Sequence, residues 1–147
     1  KNNTRFEWFL EKATEIGVSS IVPLICERTE KQHLKPERMQ QIIISAMLQS
    51  QQAWMPELKE VVKFSAFIKE TREGDKLIAH CDEQHKTLLS TYQPVNSSTI
   101  LIGPEGDFTP KEIEEALVNG FTAVSLGNTR LRTETAGIVA AALLCID

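Results

Sequence analysis

The sequence predicts an α/β fold in which a parallel sheet is flanked by helices. Short apolar runs rich in β-branched residues alternate along the chain with segments whose apolar residues recur at helical spacing. Because parallel strands need crossover connections, which are usually helices, this alternation favours a parallel sheet covered on both faces. The 147 residues contain no internal repeat and no second zone of composition, so we expect a single domain over residues 1–147.

Local signals place the elements in order. Apolar spacing predicts a helix over 6–16 that stops at Gly17, and Pro36 predicts the start of a helix that runs to about residue 52. The inner side of this second helix is predicted to carry Met39, Ile42, Ile43, Ala46, Met47 and Ser50. Thr109, Pro110 and Glu112 predict a capped helix start. Strands are predicted at 20–25, 58–62, 76–81, 99–102 and 121–126, and further helices at 64–71 and 133–146.

Composition limits the classes of protein. The 41% hydrophobic and 24% charged fractions are typical of a globular protein, and no apolar run approaches the length of a membrane span. We therefore expect a cytoplasmic protein with no membrane segment. Cys26, Cys81 and Cys145 lie far apart in apolar or strand-like contexts, which predicts buried free thiols. The net charge of −4 argues against a strongly basic nucleic-acid binder, and the start without Met suggests a fragment that lacks an upstream domain.

Several common sites are missing from the sequence. It has no phosphate-binding P-loop motif, no dinucleotide G-x-G-x-x-G motif and no G-x-S-x-G nucleophile elbow. His33, His80 and His85 do not stand at zinc-ligand spacing, so we expect no metal. Hydride transfer by a Rossmann-type site and ATP hydrolysis by a P-loop are therefore poorly supported.

Two strand-to-helix connections carry the functional prediction. The first, at 102–108, places Gly103 and Gly106 around Pro104 and Glu105, so that backbone can approach a ligand closely. A tight connection with a solvated Glu105 is the alternative. Ligands of parallel α/β sheets bind at such loops, beyond the carboxyl ends of the strands.

The second connection, at 125–137, contains Gly127 and Asn128, whose amides can face a planar base. Arg130 and Arg132 stand beside a helix N-terminus, which favours an anionic ligand. The alternative is an ordinary core helix with an arginine-rich start. The small residues of the last helix permit close packing, either against threaded backbone or against a partner subunit.

These two runs, Ile-Gly-Pro-Glu-Gly-Asp-Phe at 102–108 and Leu-Gly-Asn-Thr-Arg-Leu-Arg-Thr-Glu-Thr-Ala at 126–136, together resemble the RsmE family. Its members are small-subunit ribosomal RNA (uracil-N3)-methyltransferases of the SPOUT superfamily. The segments 5–17, 48–51 and 55–56 are similar to the same family. The chain departs from the family pattern at Asp107, where a second Gly is more frequent, and at Ala53-Trp54, where a basic residue is frequent. We expect these departures to affect substrate contacts rather than the backbone that holds the cofactor.

The resemblance implies a SPOUT-type fold with a C-terminal deep trefoil knot, a homodimer, and S-adenosylmethionine bound in the knot. It places Gly103, Pro104, Glu105 and Gly106 on one wall of that site, and Leu126, Gly127, Asn128, Leu131 and Arg132 on the other. The adenine would lie against the backbone of 126–128 and of Leu131. It also implies 16S RNA of the small ribosomal subunit as partner, and a separate N-terminal PUA-like RNA-binding domain that this chain lacks.

For catalysis we predict two roles. Arg132 stabilises the uracil anion that forms when N3 loses its proton, and Glu105 or Glu134 accepts that proton or orients the base. Two alternatives stay open: the same fold acting on another RNA, and a non-catalytic RNA-binding or assembly module.

Overall fold

The computed structural model describes residues 3–29, 34–70, 72–81, 86–92, 97–127 and 130–145. Its helices are α1 (Asn3–Ile16), α2 (Pro36–Ser50), α3 (Phe64–Phe67), α4 (Pro110–Val118) and α5 (Thr133–Cys145), with a 3-10 helix at Leu89–Thr91. Its strands are β1 (Ser20–Ile21), β2 (Leu24–Ile25), β3 (Glu57–Leu58), β4 (Val62–Lys63), β5 (Asp75–Ala79), β6 (Thr87–Leu88), β7 (Ser98–Ile102) and β8 (Thr122–Ser125).

Every strand pair formed by these residues is parallel, which confirms the predicted sheet type. Four strands form the main sheet in the order β6-β8-β5-β7, while β1 pairs with β3 and β2 with β4 in two small sheets. Neighbouring residues of the central strand β5 point to opposite faces. Ile78 packs in a cluster with Phe64 of α3 and Ile113 of α4, whereas Leu77 packs in a cluster with Ala140 of α5. Helices therefore cover both faces of the main sheet.

Two predicted strands are each broken in the middle, which corrects the predictions at 20–25 and 58–62. Ile21 pairs with Leu58 and Leu24 with Val62, so the second segment uses one residue more than the first between the two pairs. An extra residue on one strand bends it and interrupts the ladder. Pro23 falls inside the break and, having no N–H, cannot continue a ladder as donor.

Two helix boundaries also differ from prediction. The second helix ends at Ser50 rather than 52, because Gln51 takes a left-handed conformation (φ 60°). The helix predicted at 64–71 is a single turn, Phe64–Phe67. At its end, Arg72 Nη2 donates to the Phe67 carbonyl at 2.7 Å, and the Arg72 guanidinium lies 3.7 Å from the centre of the Phe67 ring. The two-residue strand β6 and the 3-10 helix after it were not predicted, since they are too short to carry a periodic signal.

Local capping signals were read correctly. Thr109 accepts a hydrogen bond from the Glu112 amide, and the Glu112 carboxylate accepts one from the Thr109 amide, which completes the predicted capping box. The second Glu112 carboxylate oxygen accepts from the Glu27 amide at 2.9 Å, tying the start of α4 to the segment after β2. The predicted inner side of α2 is confirmed for Met39, Ile43 and Ala46, which are buried, whereas Ile42, Met47 and Ser50 are half-buried.

One small residue of α5, Gly137, packs against Phe9 of α1. A Cβ on Gly137 would lie 2.5 Å from Phe9 Cε1, so the two helices approach more closely than any larger residue allows.

The prediction for the cysteines is wrong in two of three cases. All three thiols are free, but only Cys26 is buried, while Cys81 and Cys145 are exposed. Cys81 follows the end of β5 and Cys145 is the last residue of α5. At such positions a strand-like or apolar context in the sequence no longer guarantees burial.

Candidate functional site at the carboxyl edge of the sheet

The two predicted loops leave the main sheet at the same edge. Ala79 of β5 pairs with Ile102 of β7 on one side and with Val124 of β8 on the other, so the three strands end almost level. With about 4.8 Å between neighbouring strands, the ends of β7 and β8 lie about 10 Å apart. This is the edge at which parallel α/β sheets bind ligands.

The first loop is held firmly to its surroundings. The Asp107 amide donates to the Pro104 carbonyl at 2.8 Å, which closes a turn over Glu105 and Gly106. The Asp107 carboxylate accepts from two amides, those of Phe108 and Cys81, each at 2.8 Å. The Asp107 carboxylate therefore bonds to the backbone of this loop and to that of the segment after β5.

The tip of the first loop is held by two arginines from the N-terminal half of the chain. Arg5 Nη1 lies 2.6 Å from Glu105 Oε1, and Arg28 Nη1 donates to the Gly106 carbonyl at 2.6 Å. A Cβ on Gly106 would lie 3.1 Å from Arg28 Cδ. Neither arginine was predicted from the sequence, because their partners are 100 and 78 residues away and no local spacing signals such contacts.

The second loop is open around Gly127. This residue has a φ of 136°, and among the described residues no heavy atom beyond its chain neighbours lies within 4 Å of the position of a Cβ. Its amide donates to Ser125 Oγ at 3.2 Å, and the hydroxyl donates to the Gly127 carbonyl at 3.1 Å. Leu126 and Leu131 are half-buried, and Asn128 lies outside the described residues. The free volume beside Gly127 can admit a ligand.

The start of α5 joins the two loops. Thr133 Oγ1 donates to the Gly103 carbonyl at 2.9 Å, and the Ala136 amide donates to the Arg132 carbonyl at 2.8 Å. The Arg132 side chain is exposed at this helix start.

The structure brings the two candidate glutamates together around one cation. Glu134 Oε2 lies 3.6 Å from Arg5 Nε, so Arg5 contacts both Glu105 and Glu134. The two carboxylates differ in exposure, since the Glu105 side chain is 54% exposed and that of Glu134 only 14%. Glu134 is therefore the less solvated and the more loosely paired of the two.

A cleft of about 1860 Å³ also borders the first loop, between β7 and the β1–β2 segment. It is lined by Gly103, Pro104, Glu105, Gly106 and Glu134, but by none of the described residues of the predicted second wall, Leu126, Gly127, Leu131 and Arg132. Because the cleft does not reach these residues of the second wall, the candidate site is the sheet edge where both loops meet rather than the cleft as a whole.

Among the described residues, no group of three or more His, Cys, Asp or Glu side chains could hold a metal ion. Within the same ranges, no helix is long and apolar enough to cross a membrane.

Comparison with known proteins identifies the family. Residues 1–145 match the family model described as RNA methyltransferase domain. The chain belongs to this family. The domain is 33% identical over 144 residues to the ribosomal RNA small subunit methyltransferase E of Synechocystis sp., a match that covers 93% of this chain and 48% of that protein. The predicted resemblance to RsmE is thus confirmed.

Solved structures agree with the observed α/β fold. A probable rRNA-methyltransferase from Porphyromonas gingivalis is 45% identical with a TM-score of 0.90, over 96% of this chain and 61% of that one. A ribosomal RNA small subunit methyltransferase E from Neisseria gonorrhoeae, bound to S-adenosyl methionine, is 33% identical with a TM-score of 0.87, over 96% and 60% of the two chains. The RNA methyltransferase domain described above therefore spans about half to three fifths of the length of these relatives.

Proposed function

We propose that this domain uses S-adenosylmethionine to methylate N3 of a uridine in 16S RNA of the small ribosomal subunit, in the cytoplasm. The observation that carries the proposal is the meeting of the two motif-bearing loops at one sheet edge, with open volume at Gly127. The Neisseria gonorrhoeae relative, which is bound to S-adenosyl methionine, supports the choice of cofactor.

The residues at the edge fit this cofactor. Gly127 leaves free the volume that a side chain would fill, and exposed backbone there can pair with an adenine without competition from a side chain. The proposed walls are Gly103, Pro104, Glu105 and Gly106 on one side, and Leu126, Gly127, Asn128, Leu131 and Arg132 on the other. Asn128 enters this set through the motif alone.

For the chemistry, S-adenosylmethionine supplies when bound a methyl group made electrophilic by a sulfonium. The N–H bond at uracil N3 has to break before N3 can form a bond to carbon. We assign the role of proton acceptor to Glu134, because its side chain is the less exposed of the two and it is less closely engaged by Arg5 than Glu105 is. Arg132 stabilises the resulting negative charge on a uracil carbonyl oxygen, and Glu105, paired with Arg5 at 2.6 Å, has an orienting role.

The proposal extends to three features that the resemblance to the RsmE family implies. The C-terminal segment forms a deep trefoil knot, the domain forms a homodimer, and an N-terminal PUA-like domain supplies most of the RNA affinity. The net charge of −4 supports the last point, because affinity for RNA depends largely on cationic contacts to phosphates. This domain alone should therefore bind cofactor but methylate RNA poorly.

The test combines binding with turnover. We expect calorimetry to show one S-adenosylmethionine per subunit. Methyl transfer to 16S RNA, measured with labelled cofactor at high RNA concentration, should be lost in Glu134→Gln while cofactor binding is retained. Glu105→Gln is the matched control and should keep part of the activity.

Three results would contradict parts of this proposal. A folded chain that binds no S-adenosylmethionine would favour a non-catalytic module. Methylation of another RNA in preference to 16S RNA would change the substrate. Full activity of the domain alone would remove the need for an upstream RNA-binding domain.

A further inference from the structure

Asp107 is bonded through its amide and both of its carboxylate oxygens. Its amide donates to the Pro104 carbonyl, Oδ1 accepts from the Phe108 amide and Oδ2 accepts from the Cys81 amide, each at 2.8 Å. Hydrogen bonds to a carboxylate are stronger than those between neutral groups. One side chain thus joins the turn of the first loop to the segment that follows β5.

The backbone at this position does not by itself call for an aspartate. Asp107 has a φ of 67°, in the left-handed region that glycine adopts without strain and that aspartate tolerates better than most residues. Glycine would satisfy the conformation equally well. What aspartate adds is the pair of bonds made by its carboxylate.

Those bonds act on the centre of the candidate site. Cys81 follows β5, which lies between β7 and β8, the strands that carry the two loops. A Cβ on Gly103 would lie 3.2 Å from Asp107 Oδ1 and 3.1 Å from the Phe108 amide nitrogen, so the glycine leaves room for the carboxylate. The first loop is therefore fixed relative to β5 as well as to β7, the strand that it follows.

We propose that Asp107 is a positioning residue for the cofactor site, holding the 103–106 wall at a fixed distance from the end of β5 and thereby from the second loop. The inference rests on the proposed function, since the wall it positions is the one assigned to S-adenosylmethionine. Asp107 acts through the backbone of the loop and does not itself contact the reacting atoms.

The test uses three variants of this chain. Asp107→Gly removes both acceptor oxygens and leaves the backbone conformation unstrained, while Asp107→Asn keeps one acceptor oxygen. Asp75→Asn is the matched control, because it makes the same chemical change at the amino end of the same strand, β5. Calorimetry gives the affinity for S-adenosylmethionine, amide hydrogen exchange reports on Cys81 and Phe108, and thermal unfolding reports on the fold.

In Asp107→Gly we expect the affinity for S-adenosylmethionine to fall by about tenfold or more, the order of one lost charge-assisted hydrogen bond. The Cys81 and Phe108 amides should exchange faster, and the midpoint of unfolding should change little. Asp107→Asn should lie between this variant and the wild type, and Asp75→Asn should bind as the wild type does.

Each contrary result is decisive. Unchanged affinity in Asp107→Gly, with a wild type that binds, overturns the inference and leaves the proposed function standing. Faster exchange throughout the chain would mean that Asp107 only supports the fold, which also overturns the inference. A wild type that binds no S-adenosylmethionine overturns the proposed function and the positioning role together.

Discussion

The loop after β7 and the loop after β8 leave the same sheet edge, but they are held differently. The first is bonded from three directions: by Arg28 to the Gly106 carbonyl, by Thr133 to the Gly103 carbonyl, and by Asp107 to the Cys81 amide. At Gly127 in the second, the bonds shown are local ones to Ser125, and the space beyond is open.

This difference indicates that the two loops have different roles at the site. A wall fixed by long-range bonds can be set before a ligand arrives, which reduces the entropy lost on binding. Open backbone opposite that wall can then accept the flat base of a cofactor.

Gly127→Trp should have the largest effect, because the indole would fill the open space beside Gly127 in the second loop. We expect binding of S-adenosylmethionine to weaken at least 100-fold, roughly 3 kcal/mol, measured by calorimetry. Gly127→Ala is the control, since it brings the same strain at positive φ with little added volume. Equal losses in the two variants would show that backbone strain, and not lost space, is responsible.

Gly103→Ala, in the first loop, should have an intermediate effect, and this effect is on stability. The added Cβ would lie 3.1 Å from the Phe108 amide nitrogen, so backbone has to move, and we expect the free energy of unfolding to fall by about 1–3 kcal/mol. Gly106→Ala is the matched control, because its Cβ meets the flexible Arg28 side chain, which can shift. Denaturant unfolding measures the free energy of unfolding of both variants. Equal stability would show that the backbone of the first loop at Gly103 can shift without cost.

The smallest effect concerns the rates at which the three cysteine thiols react, and Cys81 reports on the sheet edge between the two loops. Exposed Cys81 should react with a thiol reagent at pH 8 fastest. Cys145 should be slower, because its thiol is partly desolvated although the residue is exposed, and this desolvation raises its pKa. Cys26 should be slowest, because burial and the charge of Glu112 raise its pKa to about 12. Fast reaction at Cys26 would mean that its part of the core opens readily.

Burial of Cys26 also gives a pH dependence with a definite sign. The unfolded thiol loses its proton near about pH 8.5, well below the folded pKa of about 12. The stability from this group is therefore complete below about pH 8.5 and falls by up to about 1.4 kcal/mol per pH unit above it. Denaturant unfolding from pH 7 to 10 measures this fall. Cys26→Ala should lack this contribution, and identical slopes in the two proteins would contradict the assignment.

The sequence by itself determined the features that depend on neighbours along the chain. The capping box at Thr109 and Glu112, the stop of α1 at Gly17 and the placement of β5, β7 and α5 all follow from residues a few positions apart. The two loop motifs and the family likewise follow from short runs of sequence, and the parallel sheet from the alternation of elements. Such signals survive in the sequence because the interactions behind them are local.

Tertiary structure alone decided the contacts between distant segments. The contacts of Arg5 with Glu105 and of Arg28 with Gly106 join residues 100 and 78 positions apart, and the Asp107 bond to Cys81 joins residues 26 positions apart. The split of the strand predicted at 20–25 depends on a partner segment more than thirty residues later, and the exposure of Cys81 depends on what packs beside the end of β5. Only the folded chain fixes these distances, because a hydrogen bond or a burial depends on position in space, and position in sequence does not specify it.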